Sequence, residues 1–521
     1  MDIEPDEALL RDLHEHNPWW EVGVDAFDLP ARQKSDFYHL ARPDATGSQV
    51  EEQFLLALTG RRGAGKTTLV HEFIRHRIEA GDPPELFLYL PFDADPLYQL
   101  QSAAQLRRAV RYYETRILGR IDTDRPQFVV LDDVHHVGHP NKPSTDGWER
   151  PVADLYADDA DRHVLATASA DIQIERPLAD GPLPADAYDT QPTLPEKFRD
   201  YVFALRPALE RDDRRVSPTS LRTGDGSIPR ALETGDVAPL VAELRGKYEQ
   251  IADVADWLRS QVVEYLAMGG IISYDQNGAV ATTTDLPAGA YDRLRDDVRD
   301  ALYQEVPGFE SIQTLADLER LCAIAARNRG ADPIRYQDLV ELLDVDRRTI
   351  ADSYLPALAE LYLLNGVTEY DNSRPRAVRL YLQDTGLVTA LTGGDAAAVR
   401  NDFDREADLA RIAAFDHTMR LAYNVAAQQG RSWDPPIQYW RGRDGEVDFV
   451  FEVGDTPVPV GLGYRPSRAG DRREAVREFV DEYETPLGFL LVGETGRGDE
   501  PVTVVDDGIL RLPYWLYLLV C

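Results

Sequence analysis

EEQFLLALTGRRGAGKTTLVHEFIRHRIEAG, residues 51–81, is the stretch on which the fold turns. An apolar run ends in a glycine-rich turn and passes into a helical pattern. Gly60-Arg61-Arg62-Gly63-Ala64-Gly65-Lys66-Thr67 fits GxxxxGK[ST] at every fixed position. Glycines there let backbone N–H groups point at phosphate oxygens, and the new helix N-terminus adds its dipole. Gly60, Gly63, Gly65, Lys66, Thr67 and Thr68 are therefore the candidate ATP-binding residues. Lys66 reaches for the β- and γ-phosphates, and Thr67 is a candidate ligand for Mg²⁺.

Such a loop needs a later strand ending in acid. RPQFVVLDDVHHV (125–137) supplies it, with Asp132 placed to hold Mg²⁺ and Asp133 to orient an attacking water. Lys66 and Asp133 are the candidate catalytic pair. Glu is the usual second acid in hydrolysing relatives; Asp is one methylene shorter, about 1.5 Å less reach. ATP binding with slow turnover is the expectation. ELFLYLPF (85–92) and DRHVLATASAD (161–171) read as further strands. Thr167 and Ser169 end the latter, either as γ-phosphate sensors or as an ordinary strand tip. Strands alternating with helices predict an α/β, doubly wound parallel sheet.

His135, His136 and His139 match no zinc spacing and read as a solvated loop. Arg230 in GDGSIPRAL (224–232) is either a phosphate contact or a surface residue; Arg176, Arg199 and Arg206 are equally open.

The chain has 521 residues, enough for about three domains, and 43% hydrophobic content to build their cores. Net charge is −35, with the carboxylates spread over the whole length. Lysine occurs only at 34, 66, 142, 197 and 247. A dispersed acidic surface served by arginine suits multimolar salt, which screens self-repulsion within about 3 Å at 1 M. A halophilic, cytoplasmic protein is expected. On that reading the acidity says little about nucleic acid as a partner. Cys322 and Cys521 make no disulfide framework. No apolar run reaches the ~18 residues of a membrane span, so no membrane partner is expected.

Downstream, residues 236–330 are helical in pattern. IRYQDLVELLDVDRRTIADSYLPALAELYLLNGVTEY (334–370) and RAVRLYLQD (376–384) then give helix, turn, helix and two strands, a winged helix-turn-helix order. Arg347 and Arg348 would meet DNA, while Asp344, Asp346 and Asp352 would repel it. DNA contact and a structural or protein-docking use both stay open. ADLARIAAFDHTMRLAYNVAAQQ (407–429) is a long helix. IQYWRGRDGEVDFVFEVGDTPVPVGLGYRP (437–466) is a three-strand meander with Asp444-Gly445 as a hairpin signal, followed by a helix (473–484) and a buried strand (486–494). This order resembles a restriction-endonuclease-like core.

HNPWW (16–20), GRRGAGKTTL (60–69), VVLDDVHHV (129–137), LPEKFRDYV (194–202), LYLQDTGLV (380–388) and YWRGRDGEVDFVF (439–451) together resemble a family of archaeal and bacterial P-loop ATPases. These join an AAA-type ATPase domain to a winged helix and a nuclease-like domain. The resemblance implies an N-terminal helical segment 1–50, an ATPase domain 51–235, a helical and winged-helix region 236–395 and a nuclease-like domain 396–521. It also matches Asp448 to the family's first metal-binding acid, with Asp416 near the helix acid and Glu452 as a substitute carboxylate. Where the family carries carboxylate-Val-Lys, this chain has Gly461-Leu462-Gly463. Nuclease activity is not expected, because the second acid and the lysine are both missing. The expected function is a slow Mg²⁺-dependent ATPase whose nucleotide state controls its C-terminal modules. The alternative is an ATP-gated scaffold or DNA-binding regulator with negligible hydrolysis.

Overall fold

The strands Leu55–Thr59 (β1), Phe87–Pro91 (β2), Gln127–Asp132 (β3) and Arg162–Ala168 (β4) are near-continuous buried runs, as a sheet covered on both faces requires. With Asp189–Pro192 (β5) they form a parallel sheet in the order β2-β3-β4-β1-β5. Alternate residues serve opposite faces. Leu58, Phe87, Tyr89, Phe128, Val130 and Leu165 pack with Leu69, Val70 and Phe73 of the helix Lys66–Glu79. Leu88, Leu90, Val129, Leu131 and Val164 pack with Leu106, Val110 and Tyr113 of the helix Ala103–Arg116. This is the doubly wound α/β arrangement expected of the sequence.

In this computed structural model the described residues are 7–29, 55–92, 103–136, 149–157, 162–170, 183, 188–210, 216–223, 226–270, 282–284, 286, 289–306, 312, 314–428, 436–443, 445–493, 500–506 and 508–521. They fall into two compact units. The first comprises Met1–Leu194, Asp300–Gln313 and Glu360–Tyr362; the second comprises Pro195–Arg299, Thr314–Ala359 and Leu363–Cys521. His139, Arg176 and Asp444 lie outside the described residues.

HNPWW acts as a packing anchor in the first unit. Asn17 exchanges two hydrogen bonds with the Tyr89 backbone (Nδ2 to O, 2.9 Å; N to Oδ1, 2.7 Å), and the Trp19 and Trp20 indoles both donate to the Phe87 carbonyl. The side chains thereby satisfy groups that edge strand β2 would otherwise leave open.

In the second unit, Ile334–Arg335 (β6), Leu364–Val367 (β7) and Ala377–Leu382 (β8) form a small antiparallel sheet, β6-β8-β7, with helices at Tyr336–Leu343 and from Arg347 to Glu360. Gln438–Arg441 (β9), Glu446–Val453 (β10), Thr456–Gly463 (β11), Gly488–Val492 (β12), Thr503–Asp506 (β13) and Ile509–Pro513 (β14) build a mixed sheet in the order β13-β14-β12-β11-β10-β9. The helices Phe403–Gln428 and Pro466–Tyr483 start earlier than the apolar pattern suggests. In the second, Pro466 at the first turn sets the entry, where its missing N–H costs nothing. Among the described residues no helix is long and apolar enough to cross a membrane.

Candidate nucleotide site

The loop between β1 and the helix Lys66–Glu79 is bent by three glycines with positive φ: Gly60 (152°), Gly63 (80°) and Gly65 (88°). At Gly60 a Cβ would lie 2.2 Å from the Thr193 carbonyl oxygen, so the motif's first glycine is sterically required. Lys66 is buried, and its Nζ donates back across the loop to the Gly60 carbonyl at 2.9 Å. Thr67 and Thr68 follow in the first turn, at the positive end of the helix dipole.

Asp132, at the end of β3, gathers three hydroxyl donors. Thr67 Oγ1 donates to Oδ2 at 2.8 Å, Tyr89 OH to Oδ2 at 2.7 Å and Thr167 Oγ1 to Oδ1 at 2.6 Å. Thr67 and Asp132 are thus side by side, as joint ligands of one cation must be. Thr167 also accepts from the Asp133 backbone N–H at 2.8 Å, so it locks both acids to the tip of β4. This binding to Asp132 is a more definite role than the strand tip suggested by itself. Asp133 sits at φ 51°, a left-handed conformation that Asp tolerates better than most residues. Burial pushes its carboxyl pKa up, with Lys66 opposing and Asp132 reinforcing the rise. Its Oδ1 has no hydrogen-bond partner among the described residues.

Tyr89 escaped the sequence reading. Its one signal is a tyrosine in an otherwise apolar buried strand; the parallel pairing of β2 with β3 brings it beside Asp132. The histidine segment also differs from expectation. His135 does not sit on a solvated loop: its side chain is 9% exposed and its Nε2 lies 3.0 Å from Glu305 Oε2, while His136 is exposed.

Of the arginines left open by the sequence, the three among the described residues belong to the second unit. Arg199 is buried and donates to the Leu519 and Cys521 carbonyls, Arg206 covers the Trp257 ring, and Arg230 is exposed, all in the second unit. Arg347 lies over Tyr336 and donates to the Pro375 carbonyl, and Arg348 is 89% exposed beside Asp352.

In the mixed sheet the proposed acids do not converge. Asp416 is held by Arg420 (2.8 Å) and Gln383 (2.7 Å), and Glu452 accepts from Tyr370. Asp448 is fully buried; it accepts the Leu462 N–H and pairs with Arg472 Nε at 3.1 Å and Arg411 Nε at 3.6 Å. Arg472 simultaneously reaches Glu446 at 3.2 Å. Its guanidinium lies where the two carboxylates come together. Gly461 and Gly463 face the helix Pro466–Tyr483 so closely that a Cβ on either would sit 2.7 Å from Val476 Cγ2 or 3.0 Å from Ala469 Cα. A cleft of about 370 Å³ beside them is lined by Arg411, Arg465, Arg468 and Arg472 with Asp408 and Glu446.

Residues 52–201 match the AAA domain family, and residues 279–398 match a domain of unknown function. No curated protein matches the sequence. Similar solved structures include a Walker-type ATPase of Pyrococcus abyssi (12% identity, 70% of this chain and 99% of that one, TM-score 0.38). An ORC2 protein of Aeropyrum pernix (16%, 73% and 98%, 0.34) and the RuvB Holliday-junction branch-migration motor of Thermotoga maritima (14%, 72% and 92%, 0.23) are also similar. Residues 52–201, which match the AAA domain family, carry a parallel α/β sheet with a P-loop between β1 and the helix Lys66–Glu79.

Proposed function

We propose that this protein binds ATP with Mg²⁺ and hydrolyses it slowly, and that the nucleotide state controls its C-terminal modules. One observation carries the reading: Thr67 and Asp132 lie 2.8 Å apart beneath a loop turned by three glycines at positive φ. The donor set fits the ligand. Gly60, Gly63, Gly65 and Thr68 would frame the phosphates, Lys66 would exchange the Gly60 carbonyl for a phosphate oxygen, and Thr67 with Asp132 would hold Mg²⁺. When bound, the ion supplies charge neutralisation between the phosphates. Asp133, with a raised pKa and one unpartnered oxygen, is the group to orient water. Its short side chain supports slow turnover.

The domain scheme 1–50, 51–235, 236–395 and 396–521 belongs to the same proposal, with a winged-helix module and a nuclease-like scaffold. The positioning of Arg472 between Glu446 and Asp448 supports a scaffold without metal-dependent cleavage, because a fixed guanidinium stands in for a cation. Arg347 and Arg348 are exposed cations on the winged-helix segment, which supports DNA as a partner to test, alongside proteins.

The test is nucleotide binding and ATP turnover in multimolar KCl, with and without duplex DNA. Lys66→Ala should lower ATP affinity at least tenfold and abolish turnover. Unchanged affinity in that variant would sink the P-loop assignment. Turnover raised by DNA identifies a DNA-linked switch; binding without turnover identifies the ATP-gated scaffold.

A further inference from the structure

The short helical turn Val134–His136 follows Asp133 directly and carries two imidazoles. Glu305, about 170 residues further along the chain, belongs to the same unit and is 5% exposed. Ligand atoms of His135, His136 and Glu305 all lie within 4.8 Å of one another. His135 is the informative member. It is nine-tenths buried, and neither ring nitrogen has a hydrogen-bond partner among the described residues, although Nε2 is 3.0 Å from the Glu305 carboxylate. A buried imidazole left without hydrogen bonds is costly unless something else engages it. Glu305 is oriented from behind by Ser169 Oγ, which donates to Oε1 at 3.2 Å. Metal-ligating carboxylates commonly have such a supporting bond.

We propose that His135, His136 and Glu305 form a binding site for a zinc-like divalent transition metal, separate from the Thr67–Asp132 pair. Two imidazoles and one carboxylate suit such an ion, with water completing the shell. Tetrahedral zinc sets its ligand atoms about 3.3 Å apart. His135 and Glu305 already meet that spacing. His136, the exposed member, closes the remaining distance by turning about its side-chain bonds. Magnesium is a poor fit, since it prefers an octahedron of oxygens. A bound ion would tie the turn after Asp133 to the segment containing Glu305. The sequence hid this site because the three residues fit no local spacing motif.

The test is a zinc titration of the full chain, free of any affinity tag, without nucleotide and with excess Mg²⁺. Cobalt absorption in the visible range is a second readout, because tetrahedral cobalt with nitrogen ligands is intensely coloured. The expectation is one zinc per chain, weakened at least tenfold by both His136→Ala and Glu305→Gln. His136 is exposed, so its variant tests the site even if Glu305→Gln folds poorly. A wild-type chain that takes up no zinc at micromolar concentration overturns the proposal. So does either variant that keeps wild-type affinity. None of these outcomes bears on whether Lys66 binds ATP.

Discussion

Replacing Thr167 with Val keeps the shape of a fully buried side chain and deletes a hydroxyl that makes two hydrogen bonds. Asp132 loses one of its three donors, a bond to a charged group worth about 1.5–3 kcal/mol. The Asp133 N–H loses its acceptor in a buried setting, which costs about 1–3 kcal/mol more. The sum is about 2.5–6 kcal/mol against the first unit. Tyr89→Phe is the internal comparison. It removes one donor from the same carboxylate and orphans no donor, so its cost is about 1.5–3 kcal/mol. Urea denaturation followed by a probe in the first unit measures both. Combining the two variants should be non-additive, because they share one acceptor. Asp132 should also be less well oriented toward Thr67, so affinity for Mg²⁺–ATP should fall several-fold more than affinity for metal-free ATP. If Thr167→Val destabilises no more than Tyr89→Phe, the hydroxyl is not bridging the two acids and the argument fails.

Other consequences concern the second unit. Arg472→Ala leaves Asp448 buried without its nearest guanidinium, keeping the Leu462 N–H and the more distant Arg411, and should cost about 3–5 kcal/mol; adding Asp448→Asn should recover part of it in the same melt. The substitutions Gly461→Asp and Gly463→Lys restore the nuclease-type pattern in sequence, yet each places a Cβ against the helix Pro466–Tyr483. The double variant should lose about 2–5 kcal/mol by overpacking and gain no Mg²⁺- or Mn²⁺-dependent DNA cleavage, and cleavage that Asp448→Ala then removes would refute this. His417 is buried with Nδ1 donating to the Ala413 carbonyl and Nε2 accepting from the Phe198 N–H, so only the neutral ring fits; burial lowers its pKa to about 4. The unfolded chain binds that proton first, so stability is complete above about pH 6.5 and falls by up to about 3 kcal/mol as pH drops to 4, measurable as near one proton taken up on unfolding at pH 5.

The P-loop half was legible because its determinants are local. A buried strand, glycines that must take positive φ and a helix N-terminus lie within one stretch, and Lys66, Thr67, Asp132 and Asp133 follow from it. Sequence also gave the mismatch at Gly461-Leu462-Gly463, since a missing side chain is visible without coordinates. The reason for that mismatch was not visible. Only packing reveals that Ala469 and Val476 occupy the space a carboxylate and a lysine would need, and that Arg472 comes from the next helix to neutralise Asp448. The same holds for Tyr89 and Thr167, which reach Asp132 from other strands, and for Glu305, which meets His135 from far along the chain. Backbone conformation is set by neighbours in sequence, so motifs announce it. Which side chains meet across strands is set by register and helix packing, and that is decided only when the chain folds.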